Sequence, residues 1–421
     1  MSGSWNRREF LGRVAALTAI GIAAGRKGYG RWRYPNIVLA ISDDQGRDLC
    51  GCYGNQNIKT PVIDRLASEG VRFDQAFVTT SQCSPSRSSI YTGKSAHTVG
   101  AEKLHTPLLA SEWIFTDTLK WLGYNTVAWE KWHLGTAKHP GQPFDDIAAN
   151  QPFFYQLGYH EPHRNWRHPV TYKPKDVIVP PTLPDTRVVR EDLAGYYSDI
   201  TWMDNHLGEF LKKLPQAVAE ENTIVIFCGD NGPPFPGEKG TCYDAGLLVP
   251  FIIKWPGVTK PGTVIDDMVS LMDICPTVLS MAGTDYPRDV QSIDLTGHLK
   301  GEGAPVRDVI FGERNQHRYD DLIRSARTPR YKYIRNFMDY EPYKPPTDLE
   351  RSPTWKEIVR LHKAGKLPNN LAHRYFDNPR PKEELYDLKN DPQEWDNLAD
   401  KEELKEIKVE LKARTKQWMI D

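Results

Sequence analysis

Two short clusters of oxygen donors are set far apart in the chain. Asp43 and Asp44 close the run Asn36-Ile37-Val38-Leu39-Ala40-Ile41-Ser42, and Asp230-Asn231 follow Thr223-Ile224-Val225-Ile226-Phe227-Cys228-Gly229. Carboxylate and amide oxygens suit a hard cation, Ca2+ or Mg2+, rather than zinc. An Asp-Asp pair alone is more often a helix cap or a solvated turn; two such clusters at strand ends favour a metal site. Between them lies Cys83-Ser84-Pro85-Ser86-Arg87. Ser84 is a good N-cap and Pro85 suits the first helical position. Cys83 is then expected at a helix N-terminus, with Arg87 one turn in. There the free N–H groups and the dipole favour an anion, and a thiol is expected to be acidic and reactive. The bland alternative is a buried, inert cysteine.

A second group of residues offers positive charge and proton transfer. Lys131 and His133 lie in Trp129-Glu130-Lys131-Trp132-His133-Leu134-Gly135, His163 in His160-Glu161-Pro162-His163, and Lys239 in Gly237-Glu238-Lys239-Gly240-Thr241. Each alone is an ordinary surface or loop residue. His105, His160, Glu313, His317 and Arg318 are further candidates for contacting a bound substrate.

The elements that must position these residues alternate. Apolar runs at 36–41, 125–129, 152–157 and 223–228 read as buried strands that deliver polar residues at their carboxyl ends. Helices are expected at 61–67 and 116–122. This pattern predicts an α/β sheet with its site at the carboxyl edge. From about residue 320 the texture changes: Arg330-Tyr331-Lys332-Tyr333-Ile334-Arg335 alternates as a half-exposed antiparallel strand, Glu384–Leu388 reads as another, and 401–418 as a Glu/Lys-rich helix. The division expected is 1–30 export signal and linker, 31–320 catalytic domain, and 321–421 a smaller C-terminal domain. A chain of 421 residues with a formal net charge of -1 carries no global field for nucleic acid or a membrane surface. The six cysteines (50, 52, 83, 228, 242, 275) form no metal-like repeat, and Cys50 and Cys52 are too close for a normal disulfide with each other, so buried thiols are expected.

Asn6-Arg7-Arg8-Glu9-Phe10-Leu11, followed by a short small-residue apolar run from Val14 to Ala24, resembles a twin-arginine export signal. The run is short for a membrane span, and no lipobox cysteine follows. Cleavage near Ala23-Ala24-Gly25, the twin-arginine machinery as a partner, and a periplasmic or secreted destination are the expectations.

Extended to Ser88-Ser89-Ile90-Tyr91-Thr92-Gly93, the Cys83 segment resembles the signature of the type I sulfatases. Gly123 to Gly135 resembles that family's second signature, with Glu130 where the Gly-Lys-Trp-His-x-Gly core has its first glycine. His160–His163 resembles its His-x-Pro-His turn. The resemblance implies an alkaline-phosphatase-like fold: a large, mixed, mostly parallel sheet sandwiched by helices, with a smaller C-terminal α+β domain bearing an antiparallel sheet. It implies that a formylglycine-generating enzyme oxidises Cys83 to formylglycine, whose hydrate attacks sulfur. It also implies that Asp43, Asp44, Asp230 and Asn231, with modified Cys83, hold Ca2+ or Mg2+. Arg87, Lys131, His133, His163 and Lys239 become the catalytic set. Further stretches, including Asp192–Tyr197, Ser352–Trp355 and Glu384–Asp387, resemble the sulfamidase branch, which removes the N-linked sulfate of glucosamine from heparan sulfate. Lys239 stands where that branch has arginine, and the 135–152 loop is short. The competing readings are an O-sulfatase on another glycan, a phosphonate or phosphate-ester hydrolase of the same superfamily, and a sulfoglycan-binding protein in which Cys83 is never modified.

Overall fold

The computed structural model describes residues 34–135, 152–214, 221–303, 305 and 307–420. The expected export signal and much of the short loop after Gly135 lie outside the described residues. Among the described residues, no helix is long and apolar enough to cross a membrane.

Among the described residues, eleven strands form two sheets. The larger has the order β3-β4-β1-β5-β6-β2-β7, with β1 Asn36–Ser42, β2 Val71–Phe77, β3 Asn125–Glu130, β4 Phe153–Gly158, β5 Thr223–Gly229, β6 Phe251–Lys254 and β7 Thr263–Ser270. β1 pairs in parallel with β4 and β5, β3 with β4, and β2 with β7; only β6 runs against its neighbours. All seven residues of β1 are buried. That explains why its sequence is continuously apolar rather than alternating: both faces are covered. Ile37, Leu39 and Ile41 join one core cluster, and Val38 and Ala40 join the other. The second face is covered by α1 Pro61–Glu69 and the carboxyl half of α4 Arg187–Lys212, through Met203, Leu207 and Phe210. The first face is covered by α2 Cys83–Thr92, α3 Phe115–Trp121 and α5 Ile274–Met281.

The smaller sheet is antiparallel, in the order β11-β10-β9-β8: β8 Ile310–Gln316, β9 Asp320–Arg327, β10 Tyr331–Asn336 and β11 Glu383–Asp387. One face, through Ile323, Ile334 and Tyr386, enters the main core. The other, through Ala326, Tyr333 and Leu385, packs against Leu411 of helix Lys405–Trp418. This sheet begins at Ile310, ahead of the texture change at residue 320. β8 reads as loop in sequence because Glu313, Arg314 and Asn315 are polar, yet all three are buried.

The helix after Gln82 starts two residues earlier than expected. Cys83 is its first residue, and Gln82, in extended conformation, is the N-cap without a side-chain bond. Ser84 does not cap; its hydroxyl accepts the N–H of His105 at 2.8 Å. The helix ends at Gly93, whose φ of 68° and N–H donation to Ser89 close it in the left-handed conformation that glycine favours.

Candidate active site

The carboxyl ends of β1, β3, β4 and β5 meet the start of α2. At the centre, carboxylate oxygens of Asp43, Asp44 and Asp230 lie within 4.8 Å of one another, and all three residues are fully buried. Burial pushes the Asp230 carboxyl up to about 6, helped by the charge of Asp43. Burial acts the same way on Asp43, but Lys131, His163, Lys239 and Arg87 outweigh it and hold that group well below the usual range. Among the described residues, Asp43 Oδ1 and Asn231 Oδ1 are buried acceptors without a hydrogen-bond partner. Orphaned oxygens beside three crowded carboxylates fit a hard divalent cation, since leaving such groups unpaired in the interior is costly.

Cys83 Sγ lies 4.0 Å from Asp44 Oδ1. The thiol is not acidified as its helix position suggests: burial and the Asp43 charge raise its pKa well above the ordinary value. The cations nearby are already committed. Arg87 donates Nε to Asp230 Oδ2 at 2.8 Å and Nη1 to the Lys131 carbonyl at 2.7 Å, which leaves its buried Nη2 unpaired. Lys131 donates to Asp43, and Lys239 donates to Asp44 Oδ2 at 2.7 Å. Lys239 is fully buried, but Asp348 and Asp44 overcome desolvation and raise its pKa, so it is charged.

Three histidines reach this centre. His133 has its Nε2 2.8 Å from His105 Nδ1, while its buried Nδ1 is unpaired. Burial, with Lys131 and Arg87, pushes His133 down to about 2, so it is a neutral imidazole. His163 pairs through Nδ1 with the Arg164 carbonyl, and its Nε2 is 3.8 Å from Asp44 Oδ2. His160 is half-buried, its carbonyl accepts the His163 N–H at 2.9 Å, and burial with Lys131 lowers its pKa.

Backbone conformation concentrates here too. Asp44, His105, Glu130 and His133 all have φ between 55° and 67°, a region costly for residues with a Cβ. Gly135 has φ 67°, and a Cβ there would come within 2.2 Å of Pro107, which explains the glycine at that point of the motif.

The structure therefore gathers Asp43, Asp44, Cys83, Arg87, Lys131, His133, His163, Asp230, Asn231 and Lys239, with His105 and His160 beside them. His317 stands one contact further out, its Nε2 3.6 Å from Asp348 Oδ1. Two sequence candidates do not join. Glu313 is fully buried on β8, bound to His97 and Asn315 and 3.7 Å from Arg324, so it is a packing carboxylate and no sugar contact. Arg318 is half exposed and pairs with Glu350 at 3.1 Å.

One residue was missed from sequence. Asp348, on the four-residue helix Thr347–Glu350, accepts from Lys239 at 2.9 Å and lies 3.7 Å from His163 Nε2. It sits in a proline- and charge-rich stretch with no motif; only a neighbour in space reveals it. Tyr196 of α4 was quoted for resemblance alone, yet its hydroxyl donates to the Asp44 carbonyl at 2.6 Å.

A buried carboxylate cluster, a helix-borne Cys83 and a ring of lysines and histidines on an α/β sheet define a hydrolase of anionic esters or amides. Comparison with known proteins narrows this. The profile described as Sulfatase matches residues 35–151 and 141–284, and that described as N-sulphoglucosamine sulphohydrolase, C-terminal, matches 237–375. The chain belongs to the sulfatase family. It is 32% identical to an ulvan-active sulfatase of Formosa agariphila, over 91% of this chain and 80% of that one. It is 29% identical to N-sulphoglucosamine sulphohydrolase of Homo sapiens, over 93% and 91%. A solved structure in complex with its substrate D-glucosamine-2-N,6-O-disulfate superposes with TM-score 0.71 at 20% identity, over 92% of this chain and 99% of that one. Phosphonate monoester hydrolase of Agrobacterium radiobacter superposes with TM-score 0.69 at 18% identity, over 92% of each. At such identities these two likenesses speak for the fold.

Proposed function

We propose that this sulfatase removes the N-linked sulfate of glucosamine from heparin- or heparan-sulfate-type saccharides, and that it does so after export. The observation that carries the reading is the match of residues 237–375 to the N-sulphoglucosamine sulphohydrolase C-terminal profile. That span contains Lys239, His317 and Asp348, which meet at the site: Lys239 donates to Asp348 Oδ2 at 2.9 Å and His317 Nε2 lies 3.6 Å from Asp348 Oδ1. Periplasmic or secreted location, through the twin-arginine machinery, rests on the sequence of residues 6–24.

The roles follow from the geometry. Asp43, Asp44, Asp230 and Asn231 would hold Ca2+ or Mg2+, and a cation so held supplies polarisation of a sulfate oxygen; formylglycine made from Cys83 by its generating enzyme supplies an oxygen nucleophile. Arg87, anchored on Asp230, directs its unpaired Nη2 as a fixed donor within the buried site. Lys131 and Lys239 bring two ammonium groups to neutralise the sulfuryl oxygens, each held by a carboxylate so that little reorganisation is needed. His133, neutral and with its Nδ1 unpaired among the described residues, is a hydrogen-bond acceptor for the nucleophile at position 83. His163 is the proton donor to the leaving atom: its Nδ1 is tied to a carbonyl, which fixes the ring and leaves Nε2 for the transfer.

Sulfate release from heparin disaccharides that differ only in N-, 2-O- or 6-O-sulfation tests this, with residue 83 checked by mass spectrometry. Loss of the N-sulfate alone is expected. Loss of an O-sulfate alone would replace the substrate with an O-sulfated glycan, the reading favoured by the ulvan-active relatives. Turnover of nitrophenyl phosphonates or phosphates in preference to sulfates would favour the phosphonate-hydrolase alternative.

A further inference from the structure

We propose that Asp348 is the counter-ion for the ammonium group that forms when a nitrogen–sulfur bond is cut, and that it thereby selects sulfamates over sulfate esters. This rests on the N-sulfate reading above and adds to it a residue and a physical basis for the choice.

A carboxylate is out of place in a pocket built for an anion, because like charge works against sulfate binding. Asp348 nevertheless reaches the heart of the site from the C-terminal region. Its Oδ2 accepts from Lys239 at 2.9 Å and lies 3.7 Å from His163 Nε2. Among the described residues its Oδ1 is buried without a hydrogen-bond partner, 3.6 Å from His317 Nε2. Lys239 already has a second carboxylate partner in Asp44. Anchoring that lysine thus uses one oxygen of Asp348 and leaves the other unspent.

The leaving atom must come within about 3 Å of the proton donor. With His163 as donor and its Nε2 3.7 Å from Asp348 Oδ2, that atom lies no more than about 7 Å from the carboxylate, and on the Asp348 side of the ring it falls inside the range of about 4–6 Å in which an opposite charge favours an ionised group. The two linkages differ at this atom. When an oxygen–sulfur bond breaks, the sulfuryl group passes to the attacking oxygen, the bonding pair stays on the leaving oxygen, and one proton gives a neutral alcohol. A sulfamate nitrogen has a lone pair and takes one proton from water before cleavage, so the linking nitrogen is already a cation as the bond breaks. The bonding pair then stays on nitrogen as the sulfuryl group passes to the attacking oxygen, and the His163 proton completes the ammonium group. Only the second case gives a carboxylate something to stabilise. His317, pushed down to about 3 by burial and Lys239, is neutral and does not compete for that role.

The test uses the formylglycine-bearing enzyme and its D348N and D348E forms on N-sulfoglucosamine and on nitrophenyl sulfate. Competition by glucosamine and by N-acetylglucosamine is measured alongside, and thermal unfolding midpoints check folding. D348N should lose roughly tenfold or more kcat on the sulfamate beyond its loss on the aryl sulfate, with part of that regained in D348E. The wild type should bind glucosamine more tightly than N-acetylglucosamine, and D348N should not discriminate between them. Equal losses on both substrates with the glucosamine preference intact would overturn the proposal and leave Asp348 an anchor for Lys239. A wild type that releases only O-sulfates would instead fail at the first substrate, sinking the N-sulfate reading itself and this inference with it.

Discussion

Glu130 shows how one side chain records a compromise. It occupies the left-handed region with φ 55°, at the position where the family motif has glycine. A residue with a Cβ costs about 1–2 kcal/mol there, while glycine would cost about 0.5–1 kcal/mol in chain entropy. Glu130→Gly should therefore leave the protein as stable or about 0.5 kcal/mol more stable. Its carboxyl, raised by partial burial and by Glu161, stands one residue from Lys131. Removing it should also strengthen binding of an anionic substrate. Urea unfolding together with KM measurements checks both effects; a loss of more than about 1 kcal/mol would mean that Glu130 makes a stabilising contact.

At the scale of elements, the pocket depends on how α4 is tied to the loop after β4. Arg164 forms a two-pronged, buried pair with Asp192 at 2.7 and 2.8 Å. Asp192 also accepts from Trp166 Nε1 at 3.0 Å and from Thr354 Oγ1 at 2.5 Å. A single carboxylate thus joins the His160–Arg164 turn, α4 and helix Pro353–Lys363, next to the helix that carries Asp348. Asp192→Asn strands a buried guanidinium, and the expected loss is about 3–5 kcal/mol. Activity should fall with it, since His163 precedes Arg164. Chemical denaturation of the variant gives the number; a loss under about 1 kcal/mol would show that water satisfies the arginine. Glu313→Gln is the matching case on β8. It replaces the charge that faces His97 and Arg324 and should lower stability while leaving substrate affinity unchanged in the folded fraction.

Over the whole molecule, charge that is buried far from solvent sets the response to pH and metal. A cavity of about 790 Å³, lined by Tyr196, Pro233, Glu238, Arg327, Arg374 and Glu394 among others, lies where the C-terminal region meets the catalytic loops, and no catalytic candidate lines it. Glu238 on its wall is pushed up to about 8 by burial, against the bond from Thr182. A carboxyl whose folded pKa is raised favours the folded state at low pH. That contribution is complete below about pH 4 and is lost as pH rises to about 8. Glu238→Gln should match the wild type near about pH 5 and exceed it by up to about 4 kcal/mol near about pH 9. Stability curves that run parallel across that window would show the carboxyl to be solvated. The carboxylate cluster gives the second response. Chelation should lower the unfolding midpoint, and Ca2+ or Mg2+ should restore it with concentration, by about 2.7 kcal/mol at one hundred times Kd. A midpoint indifferent to both ions would remove the metal assignment.

Much of this protein was legible from sequence because its chemistry sits next to strong local signals. Strands buried on both faces must be continuously apolar, so β1 and β5 stand out, and Asp43, Asp44, Asp230 and Asn231 are read off their ends. Local spacing likewise marks Cys83 with Arg87, Lys131 with His133, and His160 with His163. What sequence could not supply was anything decided by neighbours distant in the chain. β8 hides among polar residues because its partners neutralise them: Glu313 looks like a surface carboxylate until His97 and Arg324 are placed around it. The thiol of Cys83 looks acidic from its helix position, but folding adds Asp43 beside it and turns Arg87 toward Asp230. Asp348 carries no motif at all, and its meaning comes from Lys239 and His163. Backbone pattern and helix position are properties of a few consecutive residues. Burial and Coulomb energy depend on who else arrives, and those the tertiary structure alone decides.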